Sequence, residues 1–205
     1  MRRLSGRNLS KADLLFYRIA GAPVALKDYG ARPWLVRQSI GRWFVRRECR
    51  AYRASRGCPG LAPFLGRVGA FALATEWIDA PPLAEQTGAG DEVFDRLDAI
   101  LADLHARGVA IADLHHRDVL VGADGTVRLV DLATAFVLPA RAGRLRRGTF
   151  ARVCAQDRLA AARMRARFTG RPEAELLAEL DPGAVRLWGI GRRVKQAWDR
   201  LRGAR

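Results

Sequence analysis

The stretch Ala110-Ile111-Ala112-Asp113-Leu114-His115-His116-Arg117-Asp118-Val119-Leu120-Val121, followed by Val127-Arg128-Leu129-Val130-Asp131, decides how the rest of this chain is read. Three aspartates emerge from apolar flanks, the first and last of them 18 residues apart. A carboxylate at the end of a hydrophobic strand is costly to hold near a core unless it meets a cation, a donor or a substrate. Taken singly, Asp113 reads as a turn cap, Asp118 as a solvated acid and Asp131 as a strand end. Taken together they are the groups that phosphate chemistry asks of a protein: carboxylates to hold magnesium on the phosphates, and one more to orient an attacking hydroxyl.

Upstream of this stretch, Asp91-Glu92 opens a helix at the end where acids suit the dipole. Phe94, Leu97, Ile100, Leu101 and Leu104 form its buried stripe, and Gly108 stops it. Further back, Leu14 to Ile19 and Val24 to Tyr29 flank Gly21-Ala22-Pro23 and read as a hairpin. From Val36 to Ser55, Ile40, Trp43, Phe44, Cys49 and Tyr52 recur at helical spacing among arginines. Phe64 to Val68 and Phe71 to Ile78, parted by Gly69, read as a second hairpin. Asp79-Ala80-Pro81-Pro82 breaks the pattern. Downstream, Ala123-Asp124-Gly125-Thr126 turns into the strand Val127 to Val130, and the remainder reads as helical. It includes an amphipathic helix from Asp181-Pro182-Gly183 with Val185, Trp188, Val194, Trp198 and Leu201 on one face.

The chain has 205 residues, 49% of them hydrophobic, enough for one domain or two small lobes sharing a site. No run approaches the roughly 18 apolar residues of a membrane span, and polar residues follow Met1-Arg2-Arg3, so a cytoplasmic protein is expected. Cys49, Cys58 and Cys154 are too few for a disulfide framework and lack zinc-site spacing; they read as ordinary thiols. The net charge of +15 draws the protein to polyanions: nucleic acid, phosphorylated substrates or anionic lipid. Residues 141–171 hold ten arginines and one acid, Asp157, which either anchors the 110–118 loop or neutralises its neighbours. Only three lysines, Lys11, Lys27 and Lys195, stand against 33 arginines, so the lysine in the apolar strand Val24-Ala25-Leu26-Lys27 is singled out.

Asp113-Leu114-His115-His116-Arg117-Asp118 resembles the Asp-x-x-x-x-Asn loop of the protein-kinase superfamily, and Val130-Asp131-Leu132-Ala133 resembles its Asp-Phe-Gly element. Leu104-His105-Ala106-Arg107-Gly108-Val109 is similar to the helix end before that loop, and Val24-Ala25-Leu26-Lys27 to the family's Val-Ala-Ile-Lys strand. The likeness runs from about Leu14 to Phe136. It implies an α+β, two-lobed protein-kinase-like fold: a small antiparallel sheet plus one helix over residues 1–79, then a short, mainly helical lobe over residues 80–205. It also implies ATP and Mg2+ as cofactors. Asp113 would orient the acceptor, Asp118 and Asp131 would hold metal, and Lys27, paired with Glu48 21 residues later, would hold the phosphates. Backbone groups near Glu76 and Ile78 would meet adenine, with Trp77 as packing.

The Asp-Leu-His loop and short second lobe look most like Rio-type kinases and the lipopolysaccharide kinases that phosphorylate Kdo sugars. The acceptor implied is a sugar or lipid-linked saccharide at the inner membrane, or a protein serine. The basic surface suits a peripheral position on anionic lipid, and the C-terminal helix could lie on the inner leaflet, although that helix reads better as one closing the second lobe. The sequence departs from the family in three places. No Gly-x-Gly-x-x-Gly loop precedes Lys27, Asp118 replaces Asn, and Leu132-Ala133 replaces Phe-Gly. These departures keep a second expectation open, a pseudokinase-type binding or regulatory module without turnover. A third is a basic nucleic-acid-binding domain, for which no motif is visible.

Overall fold

The computed structural model describes residues 2–4, 11–86, 88–178 and 180. The chain is mixed α+β. Strands β1 (Arg2–Leu4), β2 (Asp13–Ile19), β3 (Ala22–Asp28), β4 (Phe64–Val68) and β5 (Ala72–Glu76) form one antiparallel sheet in the order β1-β2-β3-β5-β4. The β2–β3 hairpin closes through Ala20 and Gly21, both at positive φ, a two-residue turn whose twist matches the strands it joins. Register then does the functional placing. Leu14 lies opposite Lys27 and Lys27 opposite Leu73, while Phe16, Ala25 and Thr75 form the next row. Opposed residues share a face of the sheet, so these six side chains stand on one side, with Lys27 among apolar neighbours.

Between β3 and β4 runs a helix in three pieces: α1 (Trp34–Val36), a π-helical turn (Arg37–Gly41) and α2 (Arg42–Ala54). Its inner face buries Val45, Glu48, Cys49, Ala51 and Tyr52, and Tyr52 stacks on Phe64 of β4 with ring centroids 5.3 Å apart. Residues 77–81 have no regular structure, and Leu83–Glu85 is a single 3-10 turn. Helix α3 (Asp91–Ala106) buries the stripe read from its spacing: Phe94, Leu97, Ile100, Leu101 and Leu104. The short pairs β6 (Val109–Ala110) with β9 (Phe136–Val137), and β7 (Val119–Val121) with β8 (Val127–Leu129), frame the aspartate loops. Helices α4 (Arg144–Thr169) and α5 (Glu173–Ala178) complete the described chain.

Glycine at position 60 is what lets the stretch after α2 lie against α3, since any Cβ there would collide with Ile100. From that position the Gly60 carbonyl accepts a bond from Leu129 at 2.7 Å, and Ala62 donates to the Leu129 carbonyl at 3.1 Å. The segment leading into the sheet is thereby tied to β8, just before Asp131.

Two strands lie where the sequence pattern shows none. β1 is paired through backbone to β2, and β9 falls in the stretch read as helical. Both are too short to carry a period, so only their partners define them. The basic segment 141–171 is also less free than its charge suggests. Arg165 binds Asp91 at 2.5 Å and Asp95 at 2.9 Å, so part of α4's charge is matched to the acidic start of α3. Among the described residues no helix is long and apolar enough to cross a membrane. The amphipathic helix expected from Asp181 onward, with Lys195, lies outside the described residues.

Candidate active site

The apolar face of β2, β3 and β5 meets α2 on one side and the 79–82 and 117–131 segments on the other, enclosing a cleft of about 470 Å³. Lys27, Glu48, Glu76, Ile78, Asp118 and Asp131 all line it. Alternation along β3 aims Lys27 inward, and its Nζ lies 2.9 Å from Glu48 Oε2 and 2.8 Å from Asp131 Oδ1. Burial works against the ammonium, yet Glu48 and Asp131 outweigh it and hold Lys27 above the ordinary lysine range. Burial pushes the Glu48 carboxyl up, against the pull of Lys27. Asp131 is drawn below the usual carboxylate range, because the Lys27 charge and hydrogen bond overcome its own burial.

Asp131 has φ of +67°, a left-handed conformation that aspartate tolerates better than most residues. Its neighbours hold it there. Ala133 donates to Asp131 Oδ1 at 3.0 Å, and Leu132 donates to Glu48 Oε1 at 3.3 Å. Arg47 donates to the carbonyls of Thr134 and Ala135 at 2.6 and 3.1 Å. One helical turn of α2 thus fixes the segment after Asp131 with an acid and a base side by side. In the sequence Arg47 was one arginine among many; its role is visible only in the contact.

The 110–118 loop is held from beneath. Asp157 of α4 is fully buried and accepts from the backbone N–H of Ile111 at 2.7 Å and of Ala112 at 2.9 Å, with His105 Nε2 2.9 Å away. Of the two roles the sequence left open for Asp157, the structure shows the anchor. Ala112 takes φ of +71°, the kink that turns the chain outward so that Asp113 stands in solvent. Asp113 does not line the cleft wall, although its charge acts on Asp118. Asp118 itself is fixed by backbone: its N–H donates to His115 at 2.9 Å and its carbonyl accepts from Val130 at 2.9 Å. His115 and His116 pack ring to ring at 4.0 Å, and burial lowers His116. Arg117 donates its N–H to His115 Nδ1 at 3.4 Å.

Burial, then the negative charges of Asp131 and Asp113, push the Asp118 carboxyl up to about 7, with Lys27 and Lys11 opposing. The unfolded chain releases this proton near pH 4, so the protonated form favours folding below that pH and its advantage is lost as pH rises through about 7. In metal-free urea titrations the stability gain of Asp118→Asn over the parent is therefore expected to grow between about pH 5 and about pH 8. A difference that stays flat with pH would mean Asp118 ionises as freely as a surface acid.

Lys11 is a residue the sequence offered only through its rarity. It precedes β2 by two residues, and its charge reaches both Asp118 and Asp131. At the other end of the cleft, the Glu76 N–H is taken by the Pro63 carbonyl at 2.8 Å. The Ile78 N–H has no backbone partner among the described residues. Trp77 packs on Phe16 at 5.3 Å as well as lining the cleft. All three cysteines are free and buried, and burial pushes the Cys58 and Cys154 thiols up to about 11.

Among the described residues no three acid, histidine or cysteine side chains converge on one point. Magnesium carried in on a nucleotide asks for less, one or two carboxylates with phosphate and water completing its shell, and Asp118 and Asp131 are the cleft residues that would hold it. No protein-family model matches this sequence, and a search of the curated proteins finds no similar chain. The fold and site define a mixed α+β protein whose cleft joins a buried lysine–carboxylate cluster to an anchored aspartate loop.

Proposed function

We propose that this chain is a protein-kinase-like phosphotransferase that moves the terminal phosphoryl group of ATP to a hydroxyl. The observation that carries the proposal is the convergence of Lys27, Glu48 and Asp131 in one cleft, Lys27 and Asp131 being 104 residues apart. In a two-lobed kinase-like arrangement the five-stranded sheet with its helix would form the first lobe and the helical remainder the second. Lys27, kept charged and oriented by Glu48, would hold nucleotide phosphates, and Lys11 would add a second cation above them. The apolar rows of β2, β3 and β5, with Ile78, would enclose the base. Asp113 would orient the acceptor hydroxyl and take its proton as the new oxygen–phosphorus bond forms and the bond to ADP breaks. Magnesium, held by Asp118 and Asp131, would neutralise charge on the phosphates. The acceptor that best fits so basic a protein is an anionic sugar or lipid-linked saccharide such as the lipopolysaccharide inner core. A protein serine or threonine is the second choice.

A binding or regulatory module without turnover is favoured by one observation. Asp131 is already bonded to Lys27, and burial with the charges of Asp131 and Asp113 raises the Asp118 carboxyl to about 7, so one carboxylate is engaged and the other resists ionisation. Thermal melts separate nucleotide binding from an empty cleft. ATP with magnesium is expected to raise the melting temperature, while either alone has little effect. No shift with both together would remove the nucleotide from the proposal. Labelled ATP incubated with the protein and a cell-envelope extract then reports whether label enters a saccharide–lipid fraction, a protein fraction or neither.

A further inference from the structure

Between Tyr29 and Thr75 the chain carries nine arginines and one acid, and that acid, Glu48, is buried against Lys27. The outer face of the 34–54 helical run therefore has no carboxylate of its own. It does carry large apolar side chains that the fold leaves uncovered: Trp34 is 62% exposed, Leu35 72%, Trp43 53% and Ile40 40%. The inner face of the same run already supplies the core, and these four residues stand outside it. Large exposed apolar side chains gathered on one short helical run mark an interaction site.

The basic half of the face is as specific as the apolar half. Trp43 is held edge-on to Phe44 at 4.9 Å and covered by the Arg47 guanidinium at 4.8 Å. Arg46 and Arg50, beside it, are exposed, make no ion pair among the described residues, and line an open groove of about 360 Å³ against Phe136. We propose that this face docks on an anionic lipid bilayer. Trp34, Leu35, Ile40 and Trp43 enter the boundary between headgroups and acyl chains, and Arg46 and Arg50 meet the lipid phosphates. Tryptophan is enriched at that boundary, and a helix with this division of faces lies in its plane. A nucleic acid would use the arginines and the tryptophan rings but gives no reason for exposed Leu35 and Ile40 beside them. The docking helix is thus the one whose other face carries Glu48. The proposal stands apart from phosphotransfer, because vesicle binding is read without nucleotide and none of its residues lines the cleft.

The test is flotation of the full chain with vesicles of phosphatidylcholine alone or mixed with phosphatidylglycerol, in the absence of ATP. Binding is expected only to the anionic vesicles, and weaker in high salt. Trp34→Ser/Leu35→Ser keeps the net charge and touches exposed positions at the helix start, yet is expected to weaken binding by about tenfold or more. Arg46→Gln/Arg50→Gln is expected to weaken it through the headgroups, and parent-like melting of both variants shows that they fold. Equal vesicle binding by the parent and the serine variant would reduce the effect to bulk charge and overturn the proposal. So would a lack of binding to anionic vesicles, or preferential binding to single-stranded RNA that the serines leave unchanged.

Discussion

Replacing Lys27 by methionine is expected to lower folding stability by about 3–5 kcal/mol, because it leaves the Glu48 carboxylate buried with no cation beside it. Methionine nearly matches the lysine stem in volume, so lost packing contributes little. Adding Glu48→Gln removes the stranded charge and is expected to return most of that stability, a coupling that a double-mutant cycle in urea measures directly. Neither variant should be stabilised by ATP with magnesium, since both lack the ammonium that would meet the phosphates. The two readouts separate two statements about one side chain. A single-variant cost below about 1 kcal/mol would show that Glu48 does not rely on Lys27. Nucleotide stabilisation that survived in the double variant would show that Lys27 does not hold phosphate.

Asp113→Asn is expected to have the opposite profile: little change in stability and a transfer rate lower by roughly 10²–10⁴-fold. Asp113 is exposed and makes no hydrogen bond among the described residues, so an isosteric amide should shift stability by no more than about 0.5 kcal/mol. It stands at the tip of a loop fixed by Asp157 and by the Ala112 kink, the position from which the proposed mechanism would have it meet an acceptor hydroxyl. Because Asp113 lies outside the cleft wall, the magnesium–ATP melting shift should be retained. Transfer measured at saturating nucleotide decides the matter. An Asp113→Asn protein that turns over at the parent rate would assign the proton to another group. Absence of transfer in both, with the melting shift intact, would favour the binding module.

The elements legible in advance were those whose pattern is local and long. The stripe from Phe94 to Leu104 has only one helical solution, and two apolar runs parted near Gly21 make a hairpin, although Ala22 and Pro23, read as part of its turn, are paired in β3 and the turn is Ala20-Gly21. The pattern of aspartates, with Lys27 upstream, likewise picked out Lys27, Asp118 and Asp131, which line the cleft, and Asp113, which stands outside its wall, because a carboxylate leaving an apolar strand is rare enough to count. Strands β1 and β9 were not legible. With three and two residues they exist through backbone bonds to β2 and β6, and no side-chain period announces such a bond. Nor was Arg47, whose two carbonyl acceptors lie 87 and 88 residues away.

What pattern alone settled, then, was which of the longer segments are helices and strands and which ionisable residues are out of place, because amphipathic period and desolvation cost are properties of neighbouring residues. Which of those residues meet was a matter for the folded chain. The charge balance at Lys27 is set by Glu48 and Asp131 arriving from α2 and from beyond β8. The choice between two roles for Asp157 was made by backbone amides 45 and 46 positions earlier in the chain. The free charge of the arginines was settled by Arg165 finding α3, while Arg46 and Arg50 found no acid among the described residues. Electrostatic energy depends on distance through space and on the water removed between two groups, and chain separation specifies neither.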